Sequence, residues 1–190
     1  MRWWYAIKNG YLLRKNLKKF LTCPEKQIHD LAEITLEKLD NAEIAILVLD
    51  FDGVLAAHNA KEPTPQAKAW LTKMSQTIGE HRLAILTNKP KPERLAYFAK
   101  EFPSLFVLHG VRKKPYPEGL VMIAQYRGVS AHRIVLVDDR LLTGMLATCL
   151  GYTQGWYFRP PKTNYWKNPI VEAFFSFLRV SERLFIRIVG

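Results

Sequence analysis

The apolar run Ile44–Leu49, followed directly by Asp50 and then by Asp52, constrains the fold of this chain more than any other segment. A continuous apolar run of this length predicts a strand over Ala45–Leu49 that is covered on both faces, as in the middle of a parallel sheet. Such a strand needs helices on both sides of the sheet, which predicts an α/β fold. The two acidic side chains would then lie at the carboxyl end of the strand.

The rest of the central region alternates strand-like apolar runs with longer helical patterns. The predicted strands are Leu83–Leu86, Phe106–Leu108, Ile134–Val137 and Tyr152–Phe158, and the predicted helices are Pro65–Thr77, Pro92–Lys100, Pro117–Arg127 and Leu141–Leu150. This alternation predicts one central parallel sheet with helices on both faces. Ligands bind outside the carboxyl ends of the strands in such sheets, so we expect the functional site at that edge.

The net charge of +11 is concentrated at the two ends of the chain. Residues 1–20 contain six Lys or Arg and no acidic residue, and residues 157–190 contain six Lys or Arg and two Glu. Because the central region is nearly neutral, we expect the basic ends to meet an anionic partner.

The sequence also limits where the protein works. No apolar run approaches the ~20 residues that a membrane-spanning helix needs, and the first residues lack the apolar core of a secretory signal. Cys23 and Cys149 have no partner at zinc-site spacing, which is typical of free thiols in a reducing compartment. We therefore expect a cytoplasmic protein, or one that lies at the inner face of the membrane without crossing it.

We predict three regions: a basic and aromatic segment with a helix at residues 1–43, an α/β core at 44–160, and a C-terminal amphipathic helix at 161–190. In the last region, apolar residues recur at helical spacing opposite a polar stripe. The apolar positions are Ile170, Phe174, Phe177, Leu178, Phe185 and Ile188, and the polar ones are Glu172, Ser176, Arg179, Arg183 and Arg187.

Three arrangements of the basic ends stay open. The C-terminal helix packs on the sheet with solvated arginines, or its apolar face binds an anionic membrane surface together with the N-terminal Trp and Tyr residues. Basic and aromatic ends can also hold single-stranded nucleic acid, but nucleic acid is the weakest alternative because the sequence has no recognisable nucleic-acid-binding motif.

Polar side chains stand at the ends of the predicted strands. They are Asp50 and Asp52, Thr87 and Asn88, and Asp138 and Asp139, with Lys114 in the loop before the last pair. Each could by itself be a turn residue or a helix cap. Along the chain they occur in the order acid pair, hydroxyl, lysine and acid pair. This order predicts one site at one edge of the sheet.

Phosphoryl chemistry would use all of these residue types. A carboxylate such as Asp50 can attack phosphorus to form an aspartyl-phosphate, and a second acid such as Asp52 can protonate the leaving oxygen and later deprotonate water. Several carboxylates would repel a phosphate dianion, so a hard cation is needed, and Mg²⁺ suits oxygen ligands. Thr87 and Lys114 would then hold the remaining phosphoryl oxygens.

These segments resemble the four motifs of the haloacid dehalogenase (HAD) superfamily of phosphatases. The matching segments are Asp50-Phe-Asp52-Gly-Val, Leu86-Thr87-Asn88, Lys114-Pro115 and Asp138-Asp139, and the similarity spans residues 44–158. The resemblance implies a Rossmann-like HAD fold and makes residues 44–160 a catalytic core. The second acid, Asp52, argues against the dehalogenase branch, which lacks it.

The resemblance also implies roles for the matching positions. Asp50 would be the nucleophile and Asp52 the acid/base, while Thr87, Asn88 and Lys114 would form the phosphate-binding set. For Mg²⁺, the implied ligands are Asp50, Asp139 and the carbonyl of Asp52. Asp138 would be a neighbouring acid or itself the direct ligand.

The spacing between the motifs leaves no room for a cap domain. Thr87 follows Asp52 by 35 positions, and Lys113 follows Thr87 by 26. By resemblance this is a capless member with an open site, which suits substrates such as proteins, nucleic acids or lipid headgroups at a membrane.

A narrower resemblance is to the capless phosphatidylglycerophosphate phosphatases of bacteria and mitochondria. It rests on Val137–Leu146, Gly151-Tyr152, the stretch reaching Arg159-Pro-Pro161, the lead-in Leu31–Thr35 and the basic amphipathic ending. It implies removal of the terminal phosphate from phosphatidylglycerophosphate to give phosphatidylglycerol. The alternatives are a soluble phosphoester (nucleotide, sugar phosphate or phosphoprotein) and a non-catalytic scaffold.

The chain departs from that narrower family at three places. Asp138 stands where the family usually has Gly, Gly144 stands where it has an Asp that supports the metal, and Gly53-Val54 replaces the usual Asn-Thr. Asp138 is expected either to compensate as a neighbouring acid for the carboxylate missing at position 144 or to be the direct metal ligand itself. Gly144 is also the one feature that favours a scaffold.

Overall fold

The computed structural model describes residues 1–159 and 169–190. The strands are β1 (Gln27–Ile28), β2 (Ile46–Leu49), β3 (Leu83–Leu86), β4 (Phe106–Leu108), β5 (Ile134–Asp138) and β6 (Gln154–Phe158). The α-helices are α1 (Arg2–Leu12), α2 (Arg14–Thr22), α3 (Leu36–Asn41), α4 (Pro65–Ile78), α5 (Pro92–Glu101), α6 (Glu118–Arg127), α7 (Leu146–Leu150) and α8 (Pro169–Val189). The predicted boundary at 160/161 lies outside the described residues.

The six strands form one parallel sheet in the order β1-β6-β5-β2-β3-β4. The central strand β2 pairs with β5 on one side and with β3 on the other. The predicted α/β fold with a central parallel sheet is therefore confirmed. Strand β1 was missed because two residues are too few to carry a periodic pattern.

Both faces of the sheet are covered, as the apolar run at 44–49 requires. Leu47 and Leu49 of β2 pack into a cluster that includes Leu71 of α4 and Phe98 of α5. The alternate residues of β2, on the opposite face, pack into a second cluster with α6. This arrangement leaves the carboxyl ends of β2, β3 and β5 side by side at one edge.

The two ends of the chain pack against each other beside the sheet. Leu17 and Phe20 of α2 and Ile186 of α8 share a third cluster with Leu141 and Met145. The last two belong to a π-helical turn, Leu141–Met145, where the sequence predicted the start of a regular helix. Within the described ranges, no helix combines the length and apolarity that crossing a membrane requires.

The capless prediction also holds for the described residues. The segment between Asp52 and Thr87 consists of a loop, α4, a short turn and β3, and the segment from Thr87 to Lys114 holds α5 and β4. Neither segment contains an inserted domain.

Candidate active site

The sheet brings the predicted acids together. Leu49 of β2 is in register with Val137 of β5 and with Ile85 of β3, so the residues that follow these strands are neighbours. Asp50 is held to the edge by its backbone N–H, which donates to the carbonyl of Val137 at 2.9 Å. Thr87 follows β3 directly, and Asp138 is the last residue of β5.

A buried lysine bridges two of the acids. Lys114 Nζ lies 3.0 Å from Asp50 Oδ1 and donates to Asp138 Oδ2 at 2.5 Å. The Phe51 backbone N–H also donates to Asp50 Oδ1, at 2.8 Å. The Asp50 side chain is 13% exposed and that of Lys114 is 2% exposed. The pair is therefore preorganised in a site from which most water is excluded.

Burial shapes the charges of this pair. It raises the pKa of Asp50 well above the ordinary value, against the lowering effect of Lys114. Burial acts to lower the pKa of Lys114, but the carboxylates of Asp138 and Asp50 outweigh it and the pKa is raised. Lys114 is thus held as a cation between the carboxylates of Asp50 and Asp138.

Asp50, Asp138 and Asp139 form a cluster in which one ligand oxygen from each lies within 4.8 Å of the others. Both carboxylate oxygens of Asp138 accept hydrogen bonds, Oδ2 from Lys114 and Oδ1 from the Arg140 backbone N–H at 2.9 Å. Within the described residues, Asp139 Oδ1 is buried and has no hydrogen-bond partner. A buried, unpartnered carboxylate oxygen beside two other carboxylates fits a hard divalent cation such as Mg²⁺.

Asp52 is held by Arg94, a residue that the sequence analysis missed. Arg94 Nη1 and Nη2 donate to the two carboxylate oxygens of Asp52 at 3.1 Å each, and Nη1 also donates to Thr87 Oγ1 at 3.0 Å. The Asn59 backbone N–H donates to Asp52 Oδ1 at 3.0 Å. The Asp52 carboxylate is therefore not part of the three-acid cluster.

Arg94 is itself fully buried on the first turn of α5. Its guanidinium lies 3.6 Å from the centroid of the Phe51 ring and also donates to the backbone carbonyls of Lys89 and Ala60. An arginine near the start of a surface helix usually extends into solvent, so the sequence alone gave no sign that this one is internal.

Thr87 and Asn88 have different surroundings. Thr87 Oγ1 accepts from Arg94 and from the Lys89 backbone N–H at 3.1 Å, which leaves its hydroxyl hydrogen available for another acceptor. Asn88 Oδ1 accepts from the Lys114 backbone N–H at 2.9 Å. Asn88 therefore fixes the loop that carries Lys114, and its predicted contact with phosphate stays a prediction.

Helix α8 lies across the same edge, with its polar side facing inward. Arg179 Nη1 donates to Asp139 Oδ2 at 2.6 Å, and Glu172 Oε1 accepts from the His58 backbone N–H at 2.6 Å. Glu182 pairs with Arg140 and also accepts from the Leu142 backbone N–H at 3.2 Å. Two charged residues in the predicted polar stripe, Glu172 and Arg179, are thus buried, so the expectation of solvated arginines is wrong for Arg179.

The outward side of α8 is apolar instead. Its exposed large side chains are Ile170, Phe174, Phe177, Val180, Leu184 and Ile188. Helix α1 likewise exposes Trp3, Trp4, Ile7, Tyr11 and Leu12. The described residues include no cap domain, but α8 lies against Asp139 through Arg179, so the site is less open than the resemblance implied.

Two glycines leave room for the side chains of Asp138 and Asp139. Gly53 has φ +87°, and a Cβ there would collide with the carboxylate of Asp139. A Cβ at Gly144 would collide with the carboxylate of Asp138. The Asp138 side chain thus occupies the space beside position 144, so the two departures from the family pattern, Asp at 138 and Gly at 144, are sterically linked.

The parallel sheet and this arrangement of Asp50, Asp52, Thr87, Lys114 and Asp139 define a HAD-type phosphatase. The chain belongs more narrowly to the family described as mitochondrial PGP phosphatase, whose model matches residues 7–160. No curated protein matches the chain.

Three solved structures resemble the chain in part. An uncharacterised protein from Corynebacterium glutamicum is 20% identical, with a TM-score of 0.48 over 72% of this chain and 95% of that chain. A protein from Streptomyces avermitilis, provisionally described as a HAD family hydrolase, is 20% identical, with a TM-score of 0.45 over 60% and 71%. A protein from Lactobacillus delbrueckii subsp. bulgaricus, provisionally described as a phosphoglycolate phosphatase, is 23% identical, with a TM-score of 0.41 over 52% and 44%. The family membership rests on the sequence match alone.

Proposed function

We propose that the protein is a magnesium-dependent phosphomonoesterase that works through an aspartyl-phosphate and converts phosphatidylglycerophosphate to phosphatidylglycerol. The observation that carries the proposal is the buried Asp50–Lys114 pair at the carboxyl end of β2, with a second acid, Asp52, two residues away. The family match supports the phosphatase class. The lipid substrate goes further than the match and is part of the proposal.

Asp50 is the nucleophile in this proposal. Its Oδ1 is oriented by the Phe51 backbone N–H and by Lys114, so the carboxylate presents its other oxygen for attack on phosphorus. The bond to phosphorus forms as the bond to the leaving oxygen breaks. Water then attacks the aspartyl-phosphate, which releases phosphate and regenerates the carboxylate.

Asp52 is the acid and base. It gives a proton to the leaving oxygen in the first step and takes one from the attacking water in the second. The two-pronged contact with Arg94 fixes the plane of the carboxylate, and the Asn59 backbone N–H supports Oδ1. Its role therefore depends on a residue outside the four motifs.

Thr87 and Lys114 would bind the phosphoryl oxygens that do not react. The Thr87 hydroxyl has accepted two hydrogen bonds and is set to donate its own hydrogen. Lys114 supplies a fixed positive charge. Because both are buried, they need little rearrangement as charge develops in the transition state.

The metal site would use Asp50 and Asp139, with Asp138 as the neighbouring acid. Asp139 Oδ1 is the better direct ligand, because both oxygens of Asp138 already accept hydrogen bonds. The carbonyl of Asp52 is the further ligand that the HAD resemblance implies. When bound, Mg²⁺ would neutralise the repulsion between these carboxylates and a phosphate dianion.

The basic ends would bring the enzyme to an anionic membrane surface from the cytoplasmic side. Residues 1–20 carry six basic and no acidic residues, and each Lys or Arg near an anionic bilayer adds about 1 kcal/mol. The exposed aromatic residues of α1 and α8 suit the interfacial region.

Phosphate release from phosphatidylglycerophosphate in mixed micelles, with and without millimolar Mg²⁺, tests the proposal. We expect release only with the metal, and kcat/KM at least tenfold above that for a nucleotide, a sugar phosphate or a phosphopeptide. A preference for one of the soluble substrates would reassign the substrate. If no phosphate were released from any phosphoester, a non-catalytic scaffold would be the remaining interpretation.

A further inference from the structure

An apolar cavity lies between α1 and α8. It has a volume of about 490 Å³, within the ~300–1,000 Å³ typical of small-molecule pockets. Its apolar walls include Trp3, Ala6 and Ile7 of α1 and Phe174, Leu178 and Phe185 of α8. Of the four candidate motifs, only Pro115 contributes to the lining.

The cavity adjoins the active site. Pro115 and Arg140 also line it, and they directly follow Lys114 and Asp139 in the chain. Arg140 is paired there with Glu182, so a polar wall separates the apolar part of the cavity from the acids. A molecule with its phosphate at Lys114 would have polar groups beside this wall and any apolar portion beyond it.

We propose that this cavity binds an acyl chain of the phospholipid monoester whose phosphate is hydrolysed at Asp50. The proposal rests on the phosphatase function above and specifies how the substrate would be recognised. The glycerol backbone would lie against Arg140 and Thr143, and the chain would lie between the two helices.

The rim of the cavity favours a lipid over another apolar ligand. Trp3 and Phe174 line the cavity and are also 61% and 53% exposed, so its mouth continues onto the apolar faces of α1 and α8. Arg2 stands at the same mouth, and no acidic residue occurs in residues 1–20. An apolar mouth edged by positive charge is complementary to an anionic lipid at the surface of a bilayer.

Filling the cavity tests the proposal. Ala6→Phe from α1 and Ser181→Phe from α8 place a ring in the space, and Ala69→Phe adds the same bulk to an exposed position on α4. The measured quantity is the ratio of kcat/KM for monomeric dihexanoyl phosphatidylglycerophosphate to kcat/KM for p-nitrophenyl phosphate. Thermal unfolding identifies the variants that remain folded.

We expect each folded filling variant to lower this ratio at least tenfold, while Ala69→Phe keeps the wild-type ratio. An unchanged ratio in a folded filling variant would overturn the proposal. If the wild-type protein hydrolysed neither substrate, the proposed catalysis would be wrong. Calorimetry of lipid binding would then test the role of the cavity separately. Dihexanoyl phosphatidic acid should bind the wild-type protein at least tenfold more tightly than it binds Ala6→Phe; equal affinities would contradict the proposal.

Discussion

Arg179 of α8 donates a hydrogen bond to Asp139 Oδ2 at 2.6 Å, so the last helix of the chain contributes directly to the acidic cluster at the end of β5. The residues are 40 positions apart, and both are buried. Burial and the neighbouring Asp138 raise the pKa of Asp139, while Arg179 acts to lower it. Arg179 therefore helps to keep Asp139 ionised with its other oxygen unoccupied.

Replacing Arg179 by Met should destabilise the protein more without Mg²⁺ than with it. Removing one partner of a buried ion pair costs about 3–5 kcal/mol, because the other charge is left uncompensated. A divalent cation at Asp139 would replace part of the lost compensation. Thermal unfolding with EDTA and with millimolar Mg²⁺ measures this difference.

The matched control is Arg187→Met, an exposed position on the same helix, which should unfold like the wild-type protein in both conditions. An equal loss of stability with and without the metal in Arg179→Met would contradict a link between Arg179 and the metal site.

Replacing Arg94 by Met should lower kcat by about 10²-fold or more, the range expected when general acid–base catalysis is lost. Asp52 and Thr87 both lose a hydrogen-bond donor in this variant. Lys100→Met, on the exposed side of α5, is the control.

Arg94→Lys should recover part of kcat, since it restores a charge but not the two-pronged contact. If Arg94→Met stayed folded with wild-type kcat, Arg94 would have no positioning role.

Gly144→Asp alone should inactivate or unfold the protein, because any side chain at 144 collides with the carboxylate of Asp138. The double variant Asp138→Gly/Gly144→Asp restores the family's usual pattern and removes that collision. We expect it to be more stable than Gly144→Asp by at least about 1 kcal/mol, a typical coupling energy for residues in contact. Chemical denaturation of the four proteins of the cycle measures the coupling, and simple additivity would show that the two positions are independent.

Cys149 should react slowly with iodoacetamide at pH 8. Burial raises the pKa of this thiol to about 11, compared with about 8.5 for a free cysteine. Because the thiolate is the reactive form, the raised pKa should slow the reaction even though a more basic thiolate is more nucleophilic. In Cys23→Ser protein we expect modification of Cys149 to be at least about tenfold slower in the folded protein than in urea. Equal rates would show that α7 is not packed as described.

The local features of this protein could be predicted from the sequence. The strand before Asp50, the strand before Asp139 and their meeting at one edge follow from short apolar runs and from the geometry of parallel sheets. The side-chain pairs between residues far apart in the sequence could not be predicted in this way. Periodicity separates the two faces of α8, but the inward direction of the polar face depends on His58, Asp139 and Arg140, which lie far away in the sequence.

The same limit applies to Arg94, whose burial depends on Asp52 being folded against α5. It also applies to Gly144, where the sequence showed a missing carboxylate. Only the structure shows that the Asp138 side chain occupies the adjacent space.

The central claim is that Asp50 is the nucleophile, and trapping the intermediate tests it most directly. The enzyme would be mixed with phosphatidylglycerophosphate and Mg²⁺, quenched in acid within the first turnover, digested and examined by mass spectrometry. We predict a phosphoryl group on the peptide that contains Asp50, and neither adduct nor turnover in folded Asp50→Asn protein. Full turnover by Asp50→Asn, or a phosphoryl group on another residue, would contradict the mechanism.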